Sequence, residues 1–443
     1  MVSTPWPEKS SESPAGPRVA GVDPGTVSID VCGLAGGEVL LDLSFPSADI
    51  ARDPAPLVDA LVAHGPFELV LGPAGYGLPL VPGERVGERE MALMLLVRSD
   101  QRGTHTGIGG MRTMIRALIE AGLPLVFGPG AIHLPTVPEH RKWNRIDLGT
   151  ADKVASVALC IADQAGRLGL DYEDTSFVML ELGGAFSAAL AIDRGQIVDG
   201  LGGSCMPIGA RACGALDAEV AYLLGPALTK ETVYSGGALD PHGELDLSAP
   251  GALEALRADP RHRAGWLALE EGAVKAALAL TTSVPEPREL LVAGRLAGAP
   301  GLLEALAERL AGVAPVRAAS GLSTRAKAAA QGAALLADGL AGGRYAPLVE
   351  RLRLPDASGT VVDHLRMHGA ERILPRSPFR SEPHRSNRIT TRTIRPTSTA
   401  AAISSGGRCL RQNSGRARSA LCRPSGGSPT QSSSSQSELI APP

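Results

Sequence analysis

The chain has 443 residues, a formal net charge of −3, 44% hydrophobic residues, 20% charged residues and only 3% aromatics. That length exceeds what one ordinary core fills, so two lobes are expected, cored by Ala, Leu and Val rather than by rings. No apolar run of membrane-spanning length occurs, and the six cysteines include no C-x-x-C pair, which excludes a bilayer span and a disulfide framework.

Residues 1–17 are polar and Pro-rich, without the apolar stretch of a signal peptide, and read as a disordered leader of a cytoplasmic protein. Strands are expected over Arg18 to Asp23, Val27 to Leu34 and Val39 to Phe45, then a helix over Leu57 to His64 and a strand over Glu68 to Leu71. The spacing of Met111, Met114, Ile115, Leu118 and Ile119 predicts a helix to Ala121, followed by a strand at Pro124 to Phe127. The pattern then recurs: a helix over Asp152 to Leu168, a strand over Ser176 to Leu182, and a hairpin of Ala185 to Ile192 with Gln196 to Val198. Helices follow over Leu216 to Leu224, Ala264 to Leu280, Leu302 to Leu310 and Thr324 to Leu340, with a strand at Glu289 to Ala293. Two similar halves, each opening with strands around a Gly-bearing turn, indicate an internally duplicated α/β protein. After Ala370, twelve arginines against three glutamates give +9, leaving −12 for the remainder. Segment 366–443 reads as a disordered Arg/Ser-rich tail, and without a recognisable module it predicts no nucleic-acid partner.

Two loops carry the chemistry. In Gly21-Val22-Asp23-Pro24-Gly25-Thr26-Val27-Ser28, a strand ends in an acid, the chain turns at Gly25, and hydroxyls follow at Thr26 and Ser28. Turn amides there can cradle phosphate oxygens, and Asp23 can hold a hydrated Mg2+; an ordinary D-P-G hairpin reads the same way. In Glu181-Leu182-Gly183-Gly184-Ala185-Phe186-Ser187 a second strand ends in an acid before glycines and a hydroxyl, and Gly202-Gly203 closes the hairpin after it. Two such turns, one per half, could grip a triphosphate. The strand ending at Gly294 would let the backbone come close to a base or ribose.

These motifs, in this order, resemble the acetate kinase, sugar kinase and actin group. The finer resemblance is to acetate and butyrate kinases, through Val70 to Leu78, Leu148-Gly149-Thr150-Ala151-Asp152-Lys153, Gly209-Ala210-Arg211-Ala212-Cys213-Gly214 and Ala330-Gln331-Gly332, and above all to a prokaryotic group labelled predicted butyrate kinase. The resemblance spans roughly residues 18–353 and implies two actin-like (ribonuclease H-like) lobes around a nucleotide cleft. Their bounds would be 18–148 and 149–365, the second including a returning C-terminal helix, with disordered termini. It implies ATP and Mg2+ as cofactors, with Asp23, Gly25, Thr26 and Ser28 in the first phosphate loop and Glu181, Gly183, Gly184 and Ser187 in the second. Gly202 and Gly203 would follow, and Gly294 would lie by the adenosine. Asp23 and Glu181 would serve the metal. Arg211 would stabilise the phosphoryl group in flight and Asp152 would stand in the catalytic set. A homodimer acting on a small carboxylic acid is implied.

The sequence departs from that family at several points. The family's leading Asn is Asp23, its acyl-binding Arg falls near Pro73, its two helix-start His positions are Leu148 and Asp152, and the His before the second loop is Glu181. The grip on the nucleotide is therefore better preserved than the acyl-phosphate chemistry. Three other readings follow. A hydroxyl kinase would use Asp152 or Asp199 as base, an ATP-binding regulator would lack turnover, and an iron–sulfur electron donor would use Cys205 and Cys213.

Overall fold

In the computed structural model the β-strands gather into two sheets with one shared plan. The structure describes residues 16–97, 108–240, 247, 249–370 and 373, all within one compact unit, Met1–Ile394. The leader and most of the basic tail lie outside these residues, as do Cys409 and Cys422.

The first sheet contains β1 (Arg18–Pro24), β2 (Ser28–Ala35), β3 (Glu38–Pro46), β4 (Leu69–Gly72), β5 (Val81–Pro82) and β6 (Leu125–Phe127), in the order β3-β2-β1-β4-β6-β5. The second contains β7 (Phe177–Leu182), β8 (Ser187–Asp193), β9 (Gln196–Leu201), β10 (Glu289–Ala293) and β11 (Val316–Ala318), in the order β11-β10-β7-β8-β9. In each sheet three antiparallel strands are continued by two parallel ones on the far side of the first strand. That arrangement, repeated, is an actin-like α/β architecture, and it is the duplication expected from the sequence.

Strand parity explains how the second sheet is covered. Phe177 and Met179 join the core that includes the first sheet, whereas Val178 and Leu180 face the opposite way and join Trp266 and Ala273 of helix Arg263–Leu280. Both faces are buried, so the strand sequence Phe-Val-Met-Leu is apolar throughout.

Two helices join the sheets. Ala328–Leu340 packs on β1 and β2 and against Ala151–Leu168. Almost every residue of Ala328–Leu340 is small or buried. Gly332 is required there because a Cβ would fall on the Ala155 carbonyl oxygen, and Gly21 in β1 because one would meet the backbone of Ala330 and Ala334. Helix and strand thus approach backbone to backbone, which accounts for a core with few rings.

The helix expected over Thr324 to Leu340 begins only at Ala328. The amides of Thr324, Arg325 and Ala326 donate instead to the Asp42 carboxylate at 3.1, 3.1 and 2.7 Å, which holds the chain in a loop. The helix expected from Leu216 starts at Ala218, capped by Asp217 through the Glu219 amide at 2.7 Å. The helix Glu88–Leu95 and strand β11 were not expected. Among the described residues no helix is long and apolar enough to cross a membrane.

Candidate functional site

β1 delivers Asp23 to its end, and the register of β1 with β2 sets it opposite Asp30. β7 delivers Glu181 to the equivalent place, opposite Ala188 of β8. The turns that follow, Gly25 to Val27 and Gly183 to Phe186, open on one cleft of about 830 Å³. Asp23, Gly25, Thr26, Glu181, Gly183 and Gly184 all line it. The turns are tight: a Cβ on Gly183 would lie 2.6 Å from the Phe186 carbonyl, and one on Gly184 would lie 3.0 Å from Val27 of the other turn.

Each strand-end acid has its own lysine. Lys327 reaches Asp23 at 2.8 Å and Asp30 at 3.1 Å, and it donates to the Ser28 carbonyl at 3.0 Å. Lys153 reaches Glu181 at 2.7 Å and Asp152 at 2.6 Å. Lys327 immediately precedes helix Ala328–Leu340, and Lys153 lies in the first turn of Ala151–Leu168, so the joining helices bring both cations to the cleft. Burial pushes the Asp23 carboxyl above the usual range against the pull of Lys327, and Glu181 is raised in the same way against Lys153. For Asp152 burial also raises the pKa, but Lys153 and the Thr150 hydroxyl outweigh it and the net shift is downward.

A third strand end completes the floor. Gly294 follows β10 with φ +88°, and a Cβ there would meet the Leu182 backbone. Arg211 also lines the cleft, from a loop in which its amide donates to the Ala185 carbonyl at 3.1 Å, tying it to the second turn. Its Nε donates to the buried Asp240 carboxylate at 3.0 Å, which fixes the guanidinium. Gly203 and Asp152 also line the cleft.

Several cleft groups carry no clear sequence signal. Asp147 is buried, accepts from the Gly149 amide at 3.0 Å and the Ser204 amide at 3.4 Å, and burial raises its pKa. It directly precedes the Leu148-Gly149-Thr150 segment, which is the one hint available. Tyr76 and Tyr234 form part of the wall, beside Lys230, whose pKa burial lowers to about 8. The partnership of Lys327 with Asp23 spans some 300 residues and leaves no local trace.

A family model described as "Protein of unknown function (DUF1464)" matches residues 21–367. The chain belongs to that family. No curated protein matches it significantly by sequence. Among solved structures, an acetate kinase from Entamoeba histolytica is similar at 12% identity, covering 67% of this chain and 87% of its own, with a TM-score of 0.45. A propionate kinase from Francisella tularensis subsp. tularensis SCHU S4 is similar at 12% identity, covering 71% and 98%, with a TM-score of 0.49. A ROK hexokinase from Thermus thermophilus is similar at 18% identity, covering 72% and 97%, with a TM-score of 0.36.

Three residues expected at the nucleotide do not line the cleft of this DUF1464 chain. Ser28 donates to Asp30 at 3.3 Å inside the first sheet. Ser187 is buried with its hydroxyl unpartnered among the described residues. Gly202 serves packing, since the Asp147 carboxylate occupies the space a Cβ would need. Asp199 also lies away, accepting from Ser283 Oγ at 2.6 Å and facing Arg141 at 3.6 Å. Cys205 and Cys213 both have thiol pKa values raised by burial, which opposes the thiolate a cluster requires.

Among the described residues no three His, Cys, Asp or Glu side chains form a group able to hold a metal ion. Glu181 Oε2, however, is buried at the cleft without a hydrogen-bond partner. An orphaned carboxylate oxygen and the acid of Asp23 fit a hydrated Mg2+ that takes its remaining ligands from phosphate and water.

Proposed function

We propose that this protein is an ATP-dependent phosphotransferase whose acceptor is a small carboxylic acid, working as two lobes, 18–148 and 149–365, that close on the nucleotide. The observation that carries the reading is the convergence of both acid–glycine turns, Gly294 and Arg211 on one cleft. The Gly25 and Gly183-Gly184 turns would present amides to the phosphates. Asp23 and Glu181 would orient a hydrated Mg2+, which supplies charge neutralisation at the phosphates. Lys153 and Lys327 would add positive charge beside the same groups.

The reaction requires little covalent work from the protein. A carboxylate oxygen of the acceptor attacks the γ-phosphorus, the bond from that phosphorus to the bridging oxygen breaks, and ADP leaves with the electron pair. No base is needed, because a carboxylic acid is already ionised at neutral pH. Arg211, steadied by Asp240, would stabilise the charge on the phosphoryl group in transfer. A homodimer is part of the same reading, and light scattering tests it.

Asp147 favours a second reading. It is a buried carboxylate in the cleft with a raised pKa, and it could deprotonate a hydroxyl acceptor where Asp199 cannot reach. The deciding experiment is ATP consumption by the full chain with Mg2+ across short carboxylic acids and sugars, with hydroxylamine present. Trapped hydroxamate supports the acyl kinase; turnover with alcohols alone supports the hydroxyl kinase; ATP binding without turnover on any acceptor would sink both.

A further inference from the structure

One wall of the cleft is left unused by the phosphate turns. Two of the chain's five tyrosines, Tyr76 and Tyr234, and one of its six phenylalanines, Phe186, meet there, although aromatics are only 3% of the sequence. The rings of Phe186 and Tyr234 pack edge to face with centroids 4.9 Å apart. Lys230 lies among them. Its Nζ donates to Tyr76 Oη at 3.1 Å and sits 4.8 Å from the Tyr76 ring centre and 5.7 Å from that of Tyr234. Among the described residues no carboxylate comes within 4.0 Å of this ammonium; the acid whose field reaches it is Asp147. A half-buried cation held by aromatic faces, without an anion against it, is an incomplete ion pair. The segment carrying Lys230 and Tyr234 is tied to the Arg211 loop: the Gly237 amide donates to the Arg211 carbonyl at 2.9 Å, and Cys213 Sγ donates to the Val233 carbonyl at 3.4 Å.

We propose that Lys230, Tyr76 and Tyr234 form the acceptor subsite, and that they select a carboxylate bearing an aromatic ring or a comparably broad apolar body over an acid of acetate or butyrate size. The proposal rests on the phosphotransferase reading, which gives the glycine turns to the nucleotide and leaves this wall to the acceptor. The acceptor's body packs against the Tyr76 and Tyr234 rings, and its carboxylate accepts from Lys230 and supplies the missing counter-charge. The burial that lowers the Lys230 pKa agrees, since an anion beside it favours the charged ammonium.

The test is calorimetric titration of the full chain with phenylacetate, butyrate and the neutral phenylacetamide, with and without a non-hydrolysable ATP analogue and Mg2+. The wild-type protein should bind phenylacetate roughly tenfold or more tightly than either of the others. Lys230→Met should lose about tenfold for phenylacetate, Lys230→Arg should retain most of the affinity, and the ATP analogue should bind all three proteins alike. Equal affinity for phenylacetate and butyrate, or full phenylacetate binding by Lys230→Met, overturns the proposal. If Lys230→Met does not fold, the wild-type contrast between phenylacetate and phenylacetamide still decides. Lys230-dependent phenylacetate binding in a protein that never turns over ATP supports the subsite and refutes the phosphotransferase reading. Turnover of butyrate with no preference for phenylacetate refutes the subsite and leaves the phosphotransferase reading standing.

Discussion

Replacing Lys327 by Met should expose how much the fold depends on its paired charges. Lys327 lies 2.8 Å from Asp23 and 3.1 Å from Asp30, both of which are buried. At an effective dielectric of about 20, each contact is worth roughly 5–6 kcal/mol of Coulomb attraction. Desolvating the ammonium and the acids cancels much of this, and with 26% of the lysine side chain exposed the net loss is about 3 kcal/mol. Asp30 keeps the Ser44 hydroxyl at 2.6 Å and the backbone amide of residue 327, so the deficit falls mainly on Asp23. The Asp23 pKa is already raised by burial, and losing Lys327 raises it further. A raised folded-state pKa gives stability that is present at low pH and lost as pH rises through that value. The variant should therefore lose about 3 kcal/mol at pH ~8 and less at pH ~5, because lowering the pH favours the neutral Asp23 carboxyl, which needs no counter-charge. Urea unfolding of the full chain followed by circular dichroism at both pH values measures this. A deficit below about 1 kcal/mol at the higher pH, or one that does not shrink at the lower, would refute the reasoning.

Other outcomes follow from the same geometry. Gly332→Ala should destabilise the chain by about 3 kcal/mol or more, because the new methyl meets the Ala155 backbone rather than a movable side chain; thermal unfolding reads it. Arg211→Ala should lower turnover by ~100-fold or more while leaving the ATP dissociation constant nearly unchanged, and a full-rate variant would remove Arg211 from the chemistry. Asp147→Asn should spare acyl transfer but abolish transfer to alcohols, so the two acceptor readings separate in one assay. Cys32, pushed up to about 12, and Cys160, raised well above its ordinary value, are buried thiols that should escape alkylation in the native protein, as peptide-resolved mass spectrometry can check.

The duplicated α/β plan was legible because each half repeats a local pattern: an apolar strand ends in an acid, glycine follows, and a second strand returns. Period and turn chemistry suffice for that. The charge pairing was not legible. Lys327 reads as one more residue of a helix, and only the distant Asp42 and Asp30 carboxylates hold it outside that helix. Ser28 and Ser187 look like loop hydroxyls in sequence, yet each is the first residue of a strand and is buried within its sheet. Gly202 resembles a phosphate glycine but makes room for Asp147. Tyr234 and Lys230 belong to a stretch without periodicity, and only its antiparallel bridge at Ala212 and Gly236 brings it to the cleft.

The contact of Gly332 on the Ala155 carbonyl has a mechanical meaning. Two helices that touch through main chain have no interlocking side chains at the crossing to act as teeth. Such a crossing acts as a spacer: rigid peptide groups, with no flexible side chain between them to yield, set the distance between the two helices. Lys153 lies on one of these helices and Lys327 immediately before the other, so the same contact helps set how far apart the two cleft charges stand.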